Sequence, residues 1–332
     1  RGDSSGEVSG RNSALRGRVA TGMKAIGFPT PGDPDVLDVI ELPDPVPGEG
    51  EVLIRVHAAA VNPTDLTGRT RQRRAGTAGG PYVLGMDAAG VIEQIGPETQ
   101  TDLRVGDRVM AIIVPRGSHG AYAECVAVPA ESVAPMPSNT GFAEAATLPM
   151  NGLTARLALD RLGLDAGDVV AVTGAAGAMG GYAVQLAKAD GLRVAADAAP
   201  QDEELVKSLG ADLVLPRGEG FAQAVREHYP AGVDALIDGT VQGNEIAAAI
   251  KDRGTVITLR GYDQPGERGI VFQPIVVVDY ARASEKLHTL GRQAEEGLLS
   301  LRVAQELPMD QAPQAHRRLE AGGVRGRLVL VF

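Results

Sequence analysis

The sequence has 332 residues, of which 44% are hydrophobic, and its formal net charge is −10. This length allows one large domain or two domains, and the negative charge argues against a general affinity for nucleic acids or anionic membranes. A single cysteine, Cys125, excludes an internal disulfide and is typical of proteins in the reducing cytoplasm. Since no apolar run reaches about 18 residues, we expect a cytoplasmic protein without a membrane or nucleic-acid partner.

The N-terminal part of the sequence predicts a β-rich domain. Residues 1–22 are rich in Gly, Ser and Arg and lack an apolar segment, so we interpret them as a flexible extension or tag. From Met23 to about Pro149, short apolar segments are separated by Gly and Pro, and helical periodicity is absent. Strands are predicted at 51–57, 90–96, 107–112 and 121–128. Short consecutive strands favour a compact antiparallel domain.

From 150 to about 262 the predicted strands alternate with helices, which indicates a parallel sheet. Gly210 is placed to end the helix that precedes it. The predicted strands are 168–173, 192–197, 212–215, 233–238, 255–259, 275–278 and 327–331, and helices are predicted near 201–209, 220–228, 243–251 and 281–296. We interpret the bare apolar segment 275–278 as an edge strand that pairs with a second subunit in a homodimer.

A glycine-rich turn joins the strand 168–173 to a helix of small apolar residues. Its spacing is Gly-x-x-Gly-x-x-Gly rather than Gly-x-Gly-x-x-Gly. Glycine allows the backbone to approach a pyrophosphate closely, and the N–H groups of a helix N-terminus bind such an anion. A nicotinamide dinucleotide site is therefore predicted at Gly174, Ala175, Ala176, Gly177, Ala178, Met179 and Gly180.

An acidic residue, Asp197, ends the second strand of this unit, roughly 20 residues after Gly174. A carboxylate at this separation binds the ribose 2′-hydroxyl of NADH and repels the 2′-phosphate of NADPH. Residues 198–202 contain no Lys or Arg that would compensate. These residues by themselves favour NADH slightly.

Several ordered motifs resemble the medium-chain dehydrogenases/reductases, specifically the zinc-independent quinone oxidoreductase (ζ-crystallin-like) branch. The resemblance runs from about Met23 to Phe332, and its motifs are 45–56, Val61–Asp65, 106–109, 152–155, the glycine turn, 209–212 and 326–330. It implies an α/β fold with a GroES-like β-rich catalytic domain at 23–149 and 288–332. A Rossmann-type doubly wound parallel sheet at 150–287 is then inserted as the cofactor-binding domain. Most relatives in this branch use NADPH.

The resemblance also bears on metals. Zinc-dependent relatives carry Gly-His-Glu where this sequence has Gly85-Met86-Asp87, a Cys in the segment 62–65, and a four-cysteine lobe that is missing here. With one Cys and five scattered His, three ligands are not expected to converge, so we predict no catalytic metal. Without a Lewis acid, a conjugated acceptor is easier to reduce than an isolated carbonyl, because its negative charge is delocalised. We therefore predict that the protein reduces a quinone or an α,β-unsaturated carbonyl with NAD(P)H.

Individual site residues are implied by position in the family. Asn62 and Asp65 lie on the loop that faces the nicotinamide in relatives; alternatively, Asn62 belongs to a turn and Asp65 caps a helix. Relatives often place a Tyr soon after this loop, but here the first tyrosine is Tyr82, so Tyr82 or a water is the candidate proton donor. Cofactor contacts are implied for Asn151, Thr154, Gly261, Tyr262 and Arg327.

Two alternatives remain at this point. The chain could be an enoyl-thioester reductase, and the basic residues 69–74 would then either meet the anionic tail of the thioester or form a solvated loop. It could also be a weakly catalytic dinucleotide-binding protein of the crystallin type.

Overall fold

The computed structural model describes residues 22–70, 81–259 and 261–332. Residues 1–21 of the predicted extension and residues 71–74 of the basic segment therefore lie outside the described residues. Within the described ranges, no helix is long and apolar enough to cross a membrane.

The N-terminal part consists of short strands, as the sequence predicts. They are β1 (Met23–Phe28), β2 (Asp38–Leu42), β3 (Glu51–Val61), β4 (Tyr82–Val83), β5 (Asp87–Ile95), β6 (Arg108–Ile112), β7 (Cys125–Pro129) and β8 (Val133–Pro135). Most side chains of β3 are buried on both faces because β3 is central and pairs with several neighbours. Two short helices interrupt this part, α1 (Pro63–Thr70) and α2 (Phe142–Ala146).

The middle of the chain forms the predicted parallel sheet. Its strands are β9 (Val169–Thr173), β10 (Arg193–Ala198), β11 (Leu213–Pro216), β12 (Val233–Asp238), β13 (Ile250–Thr258) and β14 (Val271–Pro274). They are ordered β11-β10-β9-β12-β13-β14, and every pair is parallel, which confirms the prediction. The helices are α3 (Pro149–Leu162), α4 (Ala178–Ala189), α5 (Glu203–Ser208) and α6 (Phe221–His228).

The C-terminal segment returns to the β-rich part. After α7 (Ser284–Glu295) come β15 (Val303–Pro308), α8 (Ala312–Glu320) and β16 (Arg327–Val331). β16 pairs with β3, so that one sheet has the order β15-β16-β3-β5-β6-β8 with β7 also on β3, while β2-β1-β4 form a small separate sheet. The domain boundary predicted between residues 287 and 288 falls inside α7 and stays a prediction.

The two large sheets share one hydrophobic core. A single cluster of buried side chains includes Ala58 and Met110 of the β-rich sheet together with Val170 and Val172 of the parallel sheet. α3 contacts β5 and β6 of the β-rich sheet and β13 of the parallel sheet, so its packing fixes the two sheets against each other.

Two predicted elements are wrong. Residues 275–278 do not form a strand: the edge strand β14 precedes them, and Val277–Tyr280 form a 3-10 turn. The ladder stops because the neighbouring strand β13 ends at Thr258, which pairs with Pro274 and accepts the N–H of Ile275. The helix predicted at 243–251 is a 3-10 segment at Gly243–Ala249, and Ile250 already pairs with Val233 as the start of β13. In contrast, Gly210 has a φ of +102° directly after the α5 helix end, as predicted.

Candidate active site

The glycine turn has the geometry of a dinucleotide-binding turn. Gly174 follows the buried strand β9 with a φ of +71°, and Gly177 is the N-cap of α4. At Gly180, a Cβ would come closer than 3.0 Å to the carbonyl oxygen of Gly174, so only glycine lets α4 pack this tightly. The spacing of the three glycines therefore suits a tight turn from β9 into α4. The N–H groups of this turn point outward from the N-terminus of α4, a helix of 12 residues.

Asp197 holds this turn from the neighbouring strand. Its carboxylate accepts a hydrogen bond from the backbone N–H of Ala175 at 3.1 Å, and the residue is 3% exposed. Burial raises the pKa of Asp197 above its ordinary value. The carboxylate is thus engaged with the turn, which the sequence-based prediction did not include.

A pocket of about 230 Å³ lies beside Asp197 at the carboxyl edge of the parallel sheet. Ligands of open α/β sheets bind at this edge. The lining residues are Asp197, Arg217, Gly218, Glu219, Thr240, Gln242 and Glu245. Arg217 comes from the loop after β11, where its backbone N–H bonds Ala198. Sequence reasoning missed Arg217, because it considered only the residues that follow Asp197 directly.

Asp238, which ends β12, organises the opposite wall of the pocket. One carboxylate oxygen accepts the hydroxyl of Thr173 at 2.9 Å, and the other accepts the backbone N–H of Gln242 at 2.7 Å and that of Gly243. The carboxylate thereby ties the loop after β12 to the end of β9. Asp238 could have been singled out in the sequence, because it is an acidic residue at the end of a buried strand.

A buried polar cluster joins the β-rich sheet to α3. The side-chain amide of Asn62 donates to Asp87 at 2.6 Å, and the side-chain amide of Asn151 donates to Asn62 Oδ1 at 3.0 Å. Arg327 of β16 donates to Asn151 Oδ1. The backbone N–H of Met150, at the start of α3, donates to the second oxygen of Asp87 at 2.6 Å. Three of the residues predicted from the family (Asn62, Asn151 and Arg327) are therefore in direct contact.

The charges of this cluster are strongly desolvated. Burial raises the pKa of Asp87 to about 7 and lowers the pKa of Arg327. Among the described residues, Arg327 Nε is buried without a hydrogen-bond partner. Since a buried unpaired donor is costly, it indicates a ligand acceptor at this position.

Asp65 supports the loop of Asn62 from behind. Its carboxylate accepts the backbone N–H of Asn62 at 2.8 Å and that of Gly85 at 3.0 Å. This arrangement matches the alternative of a helix cap, because Asp65 lies in the first turn of α1. At 2% exposure, Asp65 holds the loop from within the core.

A second buried network extends from Asp65 to the surface. The hydroxyl of Tyr122 lies 3.3 Å from Asp65 Oδ2 and 3.3 Å from His316 Nε2, while Arg69 donates to His316 Nδ1 at 2.9 Å and also contacts Glu320. Because Arg69 can only donate, His316 Nδ1 accepts and Nε2 carries the proton. Burial and the charge of Arg69 lower the pKa of His316 to about 3. His316 is therefore neutral at physiological pH.

The remaining predicted residues lie elsewhere. Tyr82 is in β4, with its ring 5.5 Å from that of Phe28, and no polar contact of the described residues joins it to Asn62. The hydroxyl of Thr154 donates to the carbonyl of Met150 at 2.6 Å inside α3. Gly261 has a φ of +77°, and the neighbouring Tyr262 packs its ring against Phe272.

Potential metal ligands do not converge in the described part of the chain: no group of three or more His, Cys, Asp or Glu side chains could hold an ion there. Met86 stands next to Asp87 and accepts the hydroxyl of Thr64 at 3.4 Å.

Two family models match the chain. The alcohol dehydrogenase GroES-like domain matches residues 48–138, and the zinc-binding dehydrogenase model matches residues 209–330. The first match lies within the β-rich part, and the second spans β11–β14 of the parallel sheet and the C-terminal return through β15 and β16.

Known proteins resemble the chain over most of its length. It is 32% identical to 2-methylene-furan-3-one reductase of Solanum lycopersicum, over 94% of this chain and 80% of the relative. It is 35% identical to the chloroplastic NADPH-dependent alkenal/one oxidoreductase of Arabidopsis thaliana, over 75% and 66%. The solved structure of a mycobacterial quinone oxidoreductase superimposes with a TM-score of 0.79 at 30% identity, over 93% of this chain and all of that one.

Proposed function

Because the chain belongs to the medium-chain dehydrogenase/reductase superfamily, together with quinone and alkenal/enone oxidoreductases, we propose that it reduces a quinone or an α,β-unsaturated carbonyl with a nicotinamide cofactor. The observation that supports the proposal is the buried contact of Asn62, Asn151 and Arg327 between the β-rich sheet and α3. Fixed polar groups and an unpaired donor lie together there.

The residues of the site fit a dinucleotide. The N–H groups at the start of α4 would hold the pyrophosphate, the pocket beside Asp197 would hold the adenosine, and Arg327 Nε would meet an acceptor at the nicotinamide end. When bound, the cofactor supplies the hydride.

The protein side chains provide fixed electrostatics. Asn62 and Asn151 hold each other and Arg327 through their amide groups, so these groups need little reorganisation during the reaction. The cationic Arg327 would stabilise negative charge that develops on an enolate or hydroquinone oxygen of the substrate. The tight side-chain packing around the cluster excludes water.

An assay with a substrate panel tests this function. Purified protein is given NADPH or NADH with menadione, trans-2-hexenal or crotonyl thioester, and, separately, the oxidised cofactor with a secondary alcohol. We expect reduced cofactor to be consumed with the quinone or the enal. Reduction of the crotonyl thioester alone would indicate an enoyl-thioester reductase, and efficient alcohol oxidation beside inert quinones and enals would contradict the proposal.

We further propose that the reaction proceeds without zinc. Support comes from the donor set: Met86 supplies a thioether beside the cluster, and Asp87 is engaged with Asn62 and Met150. Thioether and amide groups are poor ligands for zinc, which prefers thiolate, imidazole and carboxylate. Stoichiometric zinc in elemental analysis of the active protein would contradict this part of the proposal.

For the cofactor we propose a preference for NADPH. The sequence-based preference for NADH assumed a free carboxylate at Asp197 with no cation nearby. The carboxylate instead bonds the turn, and Arg217 lines the same pocket. Glu219 and Glu245, the two other acidic residues there, are exposed, and so is Arg217. Water and salt therefore screen all three charges at a distance, and Arg217 would act through direct hydrogen bonds to the ligand. Arg217 is thus the natural partner of a 2′-phosphate.

We also propose a homodimer that forms through the edge of the parallel sheet. β14 is the last strand of the sheet, with a free edge in the described part of the chain. Val271 on β14 is exposed by 53%, and Val276 and Val278, in the segment that follows the strand, are exposed by 61% and 48%. An apolar, unpaired strand edge favours pairing with a second copy.

A further inference from the structure

Arg302 contacts the glycine turn from the C-terminal segment. Its guanidinium donates to the carbonyl oxygen of Ala176 at 3.1 Å and to that of Gly177 at 2.7 Å. The residue is half-buried, and this burial lowers its pKa. Among the described residues Arg302 has no carboxylate partner within salt-bridge distance. The positive charge of Arg302 therefore acts mainly on the glycine turn.

Gly181 admits this arginine. The close packing of α4 on β9 explains Gly180, but it does not explain the second glycine of the pair. A Cβ at Gly181 would come closer than 3.0 Å to Arg302 Nη2. One turn further along α4, Gln185 exchanges two hydrogen bonds with Ser300, at 3.0 Å and 3.1 Å. This face of α4 is thus built to receive residues 300–302.

The backbone of Arg302 leads to the polar cluster. Its carbonyl oxygen accepts the backbone N–H of Arg327 at 2.9 Å. The side chain of Arg327 then donates to Asn151, which contacts Asn62. Arg302 consequently lies between the turn that binds the pyrophosphate and the cluster at the nicotinamide end.

We propose that Arg302 is a positioning residue for the cofactor, which holds the turn through the carbonyls of Ala176 and Gly177 and keeps the strand of Arg327 at a fixed place beside it. A hydrogen bond to the carbonyl of Gly177 polarises the peptide whose N–H belongs to Ala178, the first residue of α4. That N–H then becomes a stronger donor to an anion. The positive charge adds to the partial charge of the helix N-terminus.

Arg302→Met and Gly181→Ala test this role by different routes. The first removes the guanidinium. The second keeps every charged group and displaces the flexible end of Arg302, because the atom nearest to the new Cβ is Nη2; the next nearest is the side-chain end of Leu209 at 3.3 Å. Arg302→Lys keeps the charge without the paired donors. Arg161→Gln, an exposed arginine of α3, is the control for the loss of one charge.

The readout is NADPH and NADH binding by isothermal titration calorimetry without substrate. We expect about tenfold weaker binding for Arg302→Met and for Gly181→Ala, a smaller loss for Arg302→Lys and none for Arg161→Gln. In the Gly181→Ala/Arg302→Met double variant the losses should not add, because both act on the same contact. The KM for the dinucleotide should rise more than that for the quinone or enal, which a general loss of stability would not produce.

The inference rests on the proposed function, and the two can fail separately. If the wild-type protein binds the dinucleotide and Gly181→Ala and Arg302→Lys bind it equally well, Arg302 has no positioning role. If the wild-type protein binds neither dinucleotide, both the function and the inference are overturned. Should Arg302→Met not fold, Gly181→Ala and Arg302→Lys still decide the question.

Discussion

The amide of Asn62 donates a hydrogen bond of 2.6 Å to the carboxylate of Asp87, and both residues are fully buried where the β-rich sheet meets α3. Two N–H donors and the nearby Arg327 stabilise the charged carboxylate, but burial outweighs them and raises its pKa to about 7. The ionised carboxylate of Asp87 therefore destabilises the folded protein at alkaline pH.

Asp87→Asn should remove a pH dependence of stability. In the unfolded chain the carboxyl ionises near 3.8, whereas in the folded protein it ionises near 7. Between these values the unfolded state binds fewer protons, so the free energy of unfolding falls as pH rises, by about 4 kcal/mol in all. Urea unfolding at pH 5 and pH 8 measures this effect. The difference between the two pH values should shrink in Asp87→Asn but not in the control Asp263→Asn, an exposed aspartate. Equal differences in all three proteins would contradict the raised pKa.

His316→Gln should reduce the sensitivity to acid. The pKa of His316 is about 3 in the folded protein, against 6.5 for an unperturbed histidine. Below pH 6.5 the unfolded chain gains a proton that the folded protein refuses, so stability is lost as pH falls from 6.5 towards 3, by about 5 kcal/mol at most. At pH 8 the variant should be less stable than the wild type, because Arg69 and Tyr122 lose a partner. Unfolding midpoints at pH 8 and pH 4.5 should show this deficit shrinking or reversing; a constant deficit would show that His316 does not titrate in this way.

Sequence patterns correctly predicted the elements that are determined by residues close together in the chain. The spacing of Gly174, Gly177 and Gly180 sufficed for the dinucleotide turn, because strand, turn and helix are consecutive in the sequence. The segment 275–278 was misassigned because its apolar residues suggested a strand, whereas the neighbouring strand β13 ends at Thr258 and leaves that segment no partner strand in the described part of the chain.

Contacts between distant segments were less accessible to sequence reasoning. Arg217 reaches the pocket of Asp197 because β10 and β11 are neighbours in parallel register. Arg302 meets the glycine turn only because β15 and β16 return to the β-rich sheet. In a similar way, the tyrosine that contacts Asp65 is Tyr122, although Tyr82 is closer in sequence. Each of these contacts depends on strand order, which no motif encodes.

Gly180→Ala should be more destabilising than Gly181→Ala, although the two glycines are adjacent. At Gly180 a Cβ would collide with the backbone of Gly174 and Ala175, which cannot move without opening the turn. At Gly181 the nearest atom is the end of a side chain. We expect a loss of about 1–3 kcal/mol for Gly180→Ala and clearly less for Gly181→Ala. Urea unfolding without cofactor measures both, and equal losses would contradict the distinction between a rigid and a flexible neighbour.

Arg217→Gln should change the choice of cofactor. If Arg217 binds the 2′-phosphate, kcat/KM with NADPH should fall by about tenfold or more, while the value with NADH changes little. Asp197→Ser is the matched comparison, because it removes the bond to Ala175 and should weaken the use of both cofactors. Steady-state kinetics with each cofactor give the ratios. A strong preference of the wild-type protein for NADH would contradict the role of Arg217. Asp197 would then determine the cofactor, as the sequence alone suggested.

Val271→Lys should prevent dimerisation if the second subunit pairs at β14. A lysine on an exposed edge strand opposes pairing, because its charge would have to be buried or would face the same lysine of the second copy. Val271 is 53% exposed, so the substitution should leave the fold of the single subunit intact. Val105→Lys is the matched control, since Val105 is 63% exposed outside the parallel sheet. Sedimentation velocity should show dimers for the wild type and Val105→Lys and monomers for Val271→Lys; a dimer that survives in Val271→Lys would place the interface on another surface.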